Sequence, residues 1–268
     1  MNVMHKENVC LGVFFACIAS FFFTLMSIFS KYIGDSASCD TILFARFFIS
    51  LILLLPWVIQ NQKDALVVPN RWQVAFRSVF TLLSLACFFY AIRFITLTDA
   101  LLLNNTYPLF VPVVAWCFVR VKTPLSVWCG IAIGFIGIVL ILKPDNYFLE
   151  GAALIALCSG IFSAISIVII RTLTKVLSIL QILFYNFLLC TFMSALFLPL
   201  NWVPISKFTV ILLGLLGVCG TLYQYFSTMA FAKAPVRLIS PIMFLSVVLG
   251  TIADFFLWGN VPDFLSFI

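Results

Sequence analysis

Long apolar runs alternate with short polar connections along the whole chain. A helix that crosses ~30 Å of hydrocarbon needs about 20 residues at ~1.5 Å rise each. Runs of that length predict nine membrane spans, near residues 9–29, 41–60, 74–93, 98–119, 125–142, 148–170, 178–200, 207–231 and 236–258. The connections are short, so consecutive spans are antiparallel neighbours in a helical bundle. No soluble domain is inserted between them. The first run, Val9 to Phe29, is too long for the apolar core of a signal peptide, and no small-residue cleavage site clearly follows it. It is read as a span.

The polar positions inside the runs recur. Gly12, Ser20, Thr24 and Ser27 of span 1 correspond to Gly151, Ser159, Ser163 and Ser166 of span 6 at one constant offset. "ILFARF" in span 2 matches "ILFYNF" in span 7, with Arg46 in the first copy and Asn186 in the second. Weaker matches set "FYAIRF" against "TMAFAK" and "KTP" against "NVP". The pattern predicts an all-α polytopic membrane bundle of two five-helix repeats, residues 1–147 (spans 1–5) and 148–268 (spans 6–9 and a stub of span 10). Units with an odd number of spans insert upside down relative to each other, the architecture of many secondary transporters. Pro262 is followed only by "DFLSFI", so the tenth helix is expected and missing from this chain. A fragment, a truncated gene and a natural end all fit that observation.

Composition fixes the class that the periodicity suggests. The chain is 64% hydrophobic and 9% charged, against about 25% charged in soluble domains. Its net charge is +6, and its basic residues, Arg46 and Arg77 within spans apart, fall between the apolar runs, where orientation explains them and nucleic acid is not implied. Lys6, Lys63, Arg71, Arg120, Lys122, Arg171, Lys175, Lys233 and Arg237 fall on the side of the N-terminus; Lys31, Arg93, Lys143 and Lys207 fall on the other. The positive-inside rule then puts the N-terminus in the cytoplasm. The six tryptophans sit at or near span ends, where an aromatic belt belongs. Nine scattered cysteines form no CxxC pair, and the single histidine, His5, lies in the N-terminal tail. Neither a disulfide framework, a metal site nor histidine-based catalysis follows. An intramembrane enzyme would need a nucleophile–base pair at membrane depth, and a G-x-x-x-x-G-K phosphate loop is absent.

Four segments carry a family resemblance: the arginine of "ILFARFF" in span 2, "YPLFVPVVAW" (Tyr107 to Trp116) in span 4, "GIAIGFIGIVLILKP" in span 5, and "AFAKAPVRLISP" leading into span 9. Together they resemble the drug/metabolite transporter superfamily, specifically its EamA-type members, over the whole chain up to the missing helix. The resemblance implies two five-helix repeats and alternating-access transport of a small organic metabolite, with no cofactor. It also implies a bacterial cytoplasmic (inner) membrane location, with the lipid bilayer and a small-molecule substrate as partners. A homodimer is left open. The family pattern often has an acidic residue in the turn after spans 4 and 9. Here those turns read "RVKTP" and "GNVP", so no role of that acid is carried over. "RFFISLILLLPW" and "APVR…IADFFLWGNVPD" look most like the S-adenosylmethionine uptake transporters of intracellular bacteria. Uptake or exchange of that metabolite, export of amino acids or other metabolites, and an inactive truncated transporter are the alternatives.

Candidate site residues come from polar positions inside spans. Ser20, Thr24 and Ser27, like Ser159, Ser163 and Ser166, are spaced i, i+4, i+7 on one helix face. Such a stripe lines a cavity or lets helices approach and hydrogen-bond. Span 4 carries Asn104, Asn105 and Tyr107 beside Pro108; the proline predicts a kink with two amides next to it. Tyr223 and Gln224 form a polar cluster in span 8, and Tyr90 offers an aromatic wall. The glycines of spans 5 and 8, Gly214, Gly217 and Gly220 among them, read as packing grooves. Arg46, Asp99 and Asp254 share a predicted depth in the outer half of the membrane, where charge pairs up, lines a wet cavity or snorkels to headgroups. Arg77 reads as an anchor at the inner interface. The candidate substrate-binding set is Ser27, Arg46, Tyr90, Asn104, Asn105, Tyr107, Ser163, Ser166, Tyr223, Gln224 and Asp254, with no catalytic residue and no metal ligand.

Overall fold

The computed structural model of the protein describes residues 8–61, 70–119, 147–198 and 203–260. Ten α-helices lie within them: α1 (Val9–Ile33), α2 (Cys39–Gln60), α3 (Arg71–Ala91), α4 (Leu97–Asn104), α5 (Tyr107–Val119), α6 (Tyr147–Leu173), α7 (Ile179–Phe197), α8 (Lys207–Lys233), α9 (Val236–Met243) and α10 (Leu245–Trp258). No strand occurs among the described residues. The described residues contain eight helical stretches long and apolar enough to cross a membrane, α4–α5 and α9–α10 each counting as one. The expected span 5, near 125–142, and the stub of a tenth helix lie outside the described residues.

Hydroxyl and amide side chains set where the helices begin. Asn8, Ser38, Thr96, Ser178 and Ser206 each accept an N–H of the first turn that follows, satisfying an amide that has no partner within the helix. Ser178 adds the reciprocal bond from Gln181, a full capping box. At the other end of α1, Gly34 turns the chain with φ 48°, a conformation that side-chain-bearing residues rarely adopt. These caps place helix starts within two residues of the predicted spans at α2, α4, α7 and α8.

The helices pair in a crossed pattern. α1 lies along α8 and against α9–α10; α6 lies along α3 and against α4–α5; α2 packs on α7 and α8, and α3 on α7. The interior combines aromatic and aliphatic side chains such as Phe23, Met26, Phe47, Phe88 and Phe187 with small residues such as Ala16, Ala19 and Ala156. Small residues set the approach distances where backbones meet. A Cβ on Gly217 would stand 2.7 Å from Ile49 of α2, whereas Gly214 faces open space. Of the grooves expected on span 8, the contact at Gly217 is therefore formed and the one at Gly214 is not. Large apolar side chains such as Phe14, Phe192, Ile211 and Phe256 point outward, as lipid-facing positions do. Two interruptions, at 105–106 and at Phe244, fall in the middle of their spans and position the site.

Candidate functional site

Span 4 breaks just before its proline rather than at it. Asn105 and Thr106 leave the helix, and α5 restarts at Tyr107 with Pro108 in its first turn, where a missing N–H costs nothing. Side chains tie the break together: Asn105 Nδ2 donates to Leu101 O (2.8 Å) and Thr106 Oγ1 to Leu103 O (2.6 Å). Span 9 breaks too, which the sequence reading did not foresee. Pro241 sits within α9, and Phe244 interrupts the span three residues later. Ser20 Oγ donates to Ile242 O (3.4 Å), Thr24 Oγ1 to Ser246 O (3.1 Å) and Ser246 Oγ to Met243 O (2.7 Å). These are the hydroxyl partners that an interrupted backbone needs inside a bilayer. Asn105 Nδ2 also reaches Ser246 Oγ at 3.0 Å, joining one break to the other.

A cavity of about 60 Å³ opens between the breaks, walled by α1, α3, α4–α5, α6, α8 and α9–α10. Seven of the predicted residues line it: Asn104, Asn105, Tyr107, Ser163, Ser166, Tyr223 and Gln224. The sequence reading missed Phe23, Thr81, Ser84, Ser227 and Ser246, which also line it. Thr81 and Ser84, three residues apart on α3, carry a readable signal, a second short polar stripe. Hydrogen bonds knit the wall across helices. Asn104 Nδ2 donates to Ser159 Oγ (2.8 Å), Ser84 and Ser163 share a bond of 2.7 Å, and Thr81 and Ser166 one of 2.8 Å. The Ser/Thr stripes thus serve helix contact and cavity lining together. Gly160 makes the approach of α6 possible, since a Cβ there would stand 2.9 Å from Leu103 O and from Thr106 Oγ1.

The other four candidates lie elsewhere. Ser27 is buried and donates to Phe23 O of its own helix (2.7 Å). Tyr90 is half exposed beside Phe94 and faces a separate groove with Cys87 and Arg93, because its position on α3 points away from the cavity. Asp254 is 1% exposed and saturated. It accepts Lys31 Nζ (3.2 Å) and Asn260 Nδ2 (3.0 Å) on one oxygen, and the Thr98 amide and hydroxyl (3.1 Å each) on the other. The carboxylate therefore pins the N-terminus of α4 to the ends of α1 and α10, where the helix dipole favours it. Asp99 caps the same turn with Thr96.

Arg46 neither snorkels nor pairs with Asp254. It is fully buried, donating Nη2 to Gly220 O (3.0 Å) and to Gln224 Oε1 (3.4 Å) of α8. Gly220 gives it room, since a Cβ there would meet Arg46 Nε at 3.0 Å. Arg77 is not an interface anchor either. It is also fully buried, donating Nη1 to Ile182 O of α7 (3.3 Å). No group of three or more metal-ligating side chains occurs among the described residues.

Comparison with known proteins points the same way as the geometry. The model of the EamA-like transporter family matches residues 10–143 and 151–268. The S-adenosylmethionine uptake transporter of Rickettsia prowazekii is 26% identical, over 90% of this chain and 82% of that protein. The pseudopaline exporter CntI of Pseudomonas aeruginosa is 29% identical, over 95% of this chain and 90% of that protein. A solved structure described only as the crystal structure of a protein superposes with a TM-score of 0.73 at 16% identity. It covers 97% of this chain and 93% of the other, a likeness of fold.

Proposed function

The chain belongs to the EamA-like transporter family, and from that premise we propose that it takes up a small polar metabolite of the S-adenosylmethionine kind by alternating access. The observation that carries this reading is the cavity between the two helix breaks, lined by hydroxyls, amides and the Tyr223–Phe23 ring pair at 4.7 Å. Hydroxyls and amides suit the polar groups of such a metabolite, and the rings suit its purine. Interrupted helices around a mid-membrane site are the arrangement from which secondary transporters build binding sites. The present volume, about 60 Å³, is room for a few waters and well short of the ~300–1,000 Å³ of small-molecule pockets. This conformation is the contracted one, and the substrate enters when α4–α5 or α9–α10 swings outward.

The moving units in this reading are two inverted repeats, residues 1–147 and 148–268. Cross-bracing supports it: α1 of the first unit holds the break of the second through Ser20 and Thr24, and α6 of the second holds that of the first through Ser159 and Gly160. In this reading the membrane is the bacterial cytoplasmic one, as the bacterial relatives suggest, and the charge asymmetry of the loops supports an N-terminus inside. The Pseudomonas relative, named an exporter, favours a second reading: outward transport of a polar metabolite through the same cavity. Radiolabelled S-adenosylmethionine, offered to right-side-out and inverted vesicles holding the protein, tests both. Saturable flux competed by unlabelled compound in right-side-out vesicles supports uptake, and flux confined to inverted vesicles supports export. Absence of flux of this compound and of a metabolite panel, from abundant folded protein, sinks both.

A further inference from the structure

Two buried guanidiniums flank one stretch of α7. Arg77 Nη1 holds Ile182 O, one turn before Asn186, and Arg46 stacks its guanidinium 5.9 Å from the Phe187 ring. Cys190, a turn further on, donates to Ser78 O at 3.3 Å and faces Asn186 Oδ1 at 4.0 Å, so α3 and α7 are closely joined there. Arg46, Arg77 and Asn186 are each 0% exposed. Their remaining donors, Arg46 Nε and Nη1, Arg77 Nε and Nη2, and Asn186 Nδ2, are buried without a hydrogen-bond partner. The buried carboxylate of Asp254 is engaged by Lys31 at another site.

Unpaired donors on buried cations are among the costliest features a fold can carry. A ligand that accepts hydrogen bonds and brings negative charge relieves that cost. We infer that Arg46, Arg77 and Asn186 form an anion subsite that takes the carboxylate of the transported metabolite, reached from the central cavity past Gln224. The route rests on the transport reading above; the chemistry rests on the cluster alone. Gln224 connects the two places, because it lines the cavity and its Oε1 accepts from Arg46 Nη2. Rotation of this one side chain frees an N–H on a third nitrogen of Arg46 and opens the wall. Guanidinium donors match a carboxylate's two oxygens, and Asn186 supplies a neutral donor beside them. The subsite would select amino-acid-like metabolites over their decarboxylated counterparts.

The test uses the full chain in lipid nanodiscs. Its melting temperature is followed in sodium acetate, sodium chloride and acetamide, at an ionic strength fixed with a bulky sulfonate. Acetate is expected to raise it and acetamide to leave it unchanged, with the rise lost in Arg46→Gln and Arg77→Gln. If those variants do not fold, the comparison of acetate, chloride and acetamide on the unaltered protein still decides. A chloride effect equal to that of acetate, or no anion effect, overturns the assignment. In the flux assay, decarboxylated S-adenosylmethionine should compete at least about tenfold less well than the parent, as loss of one charge-assisted contact implies. Equal competition overturns the subsite and leaves transport standing. An acetate response without flux of any metabolite keeps the subsite and removes the transport reading.

Discussion

Among single side chains, the cost of a buried charge separates residues that looked alike in the sequence. Arg46 and Asp254 were both charges within spans at one predicted depth. Asp254 is saturated by four donors at the end of the bundle, while Arg46 keeps two nitrogens unpaired beside the cavity wall. That Arg46 needs compensation was legible, since a charge in an apolar run is costly, but its full burial was not, because snorkelling to the headgroups was equally open to it. Of its two partners, Gln224 is a visible polar residue of span 8, whereas the Gly220 carbonyl leaves no mark in a sequence. The pairing of Arg46 with Asn186 in the proposed repeat also gains an explanation. Arg46 reaches from α2 to the α8 backbone, and Arg77 reaches from α3 to the α7 backbone. If α2 matches α7 and α3 matches α8, these are corresponding interfaces, with the arginine supplied from the opposite partner. At position 186, one turn after the Ile182 carbonyl that Arg77 holds, an arginine from α7 is therefore not needed for this interface. Asp254→Asn should be a stability variant: it leaves Lys31 uncompensated and should cost about 3 kcal/mol, the range for breaking a buried pair. Thermal melting and membrane abundance should fall, while flux per folded molecule is kept. Flux lost at normal stability would return Asp254 to the substrate path.

Helices and their interruptions were legible to different degrees. The spans followed from apolar run length, and the kink in span 4 followed from Pro108. The break in span 9 did not, because Pro241 stays helical and the interruption falls at Phe244, an ordinary helical side chain. What stabilises it is the hydroxyl face of α1, a contact more than 220 residues away in sequence. Tyr90 shows the same limit, since its depth could be read from span 3 but its facing depended on how α3 docks against α6. Gly160 tests whether the break in span 4 is held from outside. Its added Cβ in Gly160→Ala would press on the Leu103 carbonyl and the Asn104 carbonyl, at 2.9 and 3.1 Å, and backbone yields less readily than a side-chain tip. The variant should lose about 1–3 kcal/mol, the usual cost of overpacking. Its flux per folded molecule should fall as well, because α4–α5 shifts at the cavity. Unchanged melting and unchanged flux would mean that α6 does not brace the break.

For the molecule as a whole, the proposal requires the cavity wall to part during each cycle. Ser84 of α3 and Ser163 of α6 offer a direct way to forbid that. Their hydroxyl oxygens lie 2.7 Å apart, and a disulfide needs about 2.05 Å between sulfurs. Ser84→Cys with Ser163→Cys, in a chain whose native cysteines are replaced, should therefore cross-link on mild oxidation with little movement. The bond ties the first proposed unit to the second at the contracted cavity. Oxidation should stop flux, and a reducing agent should restore it, while either single variant transports with or without oxidant. The replaced hydroxyls also line the cavity, so the reduced double variant sets the baseline and only its change on oxidation counts. Full flux from a fully cross-linked protein would show that α3 and α6 need not separate at this level. The swing would then have to be confined to α4–α5 and α9–α10, and the two halves would not be the moving units.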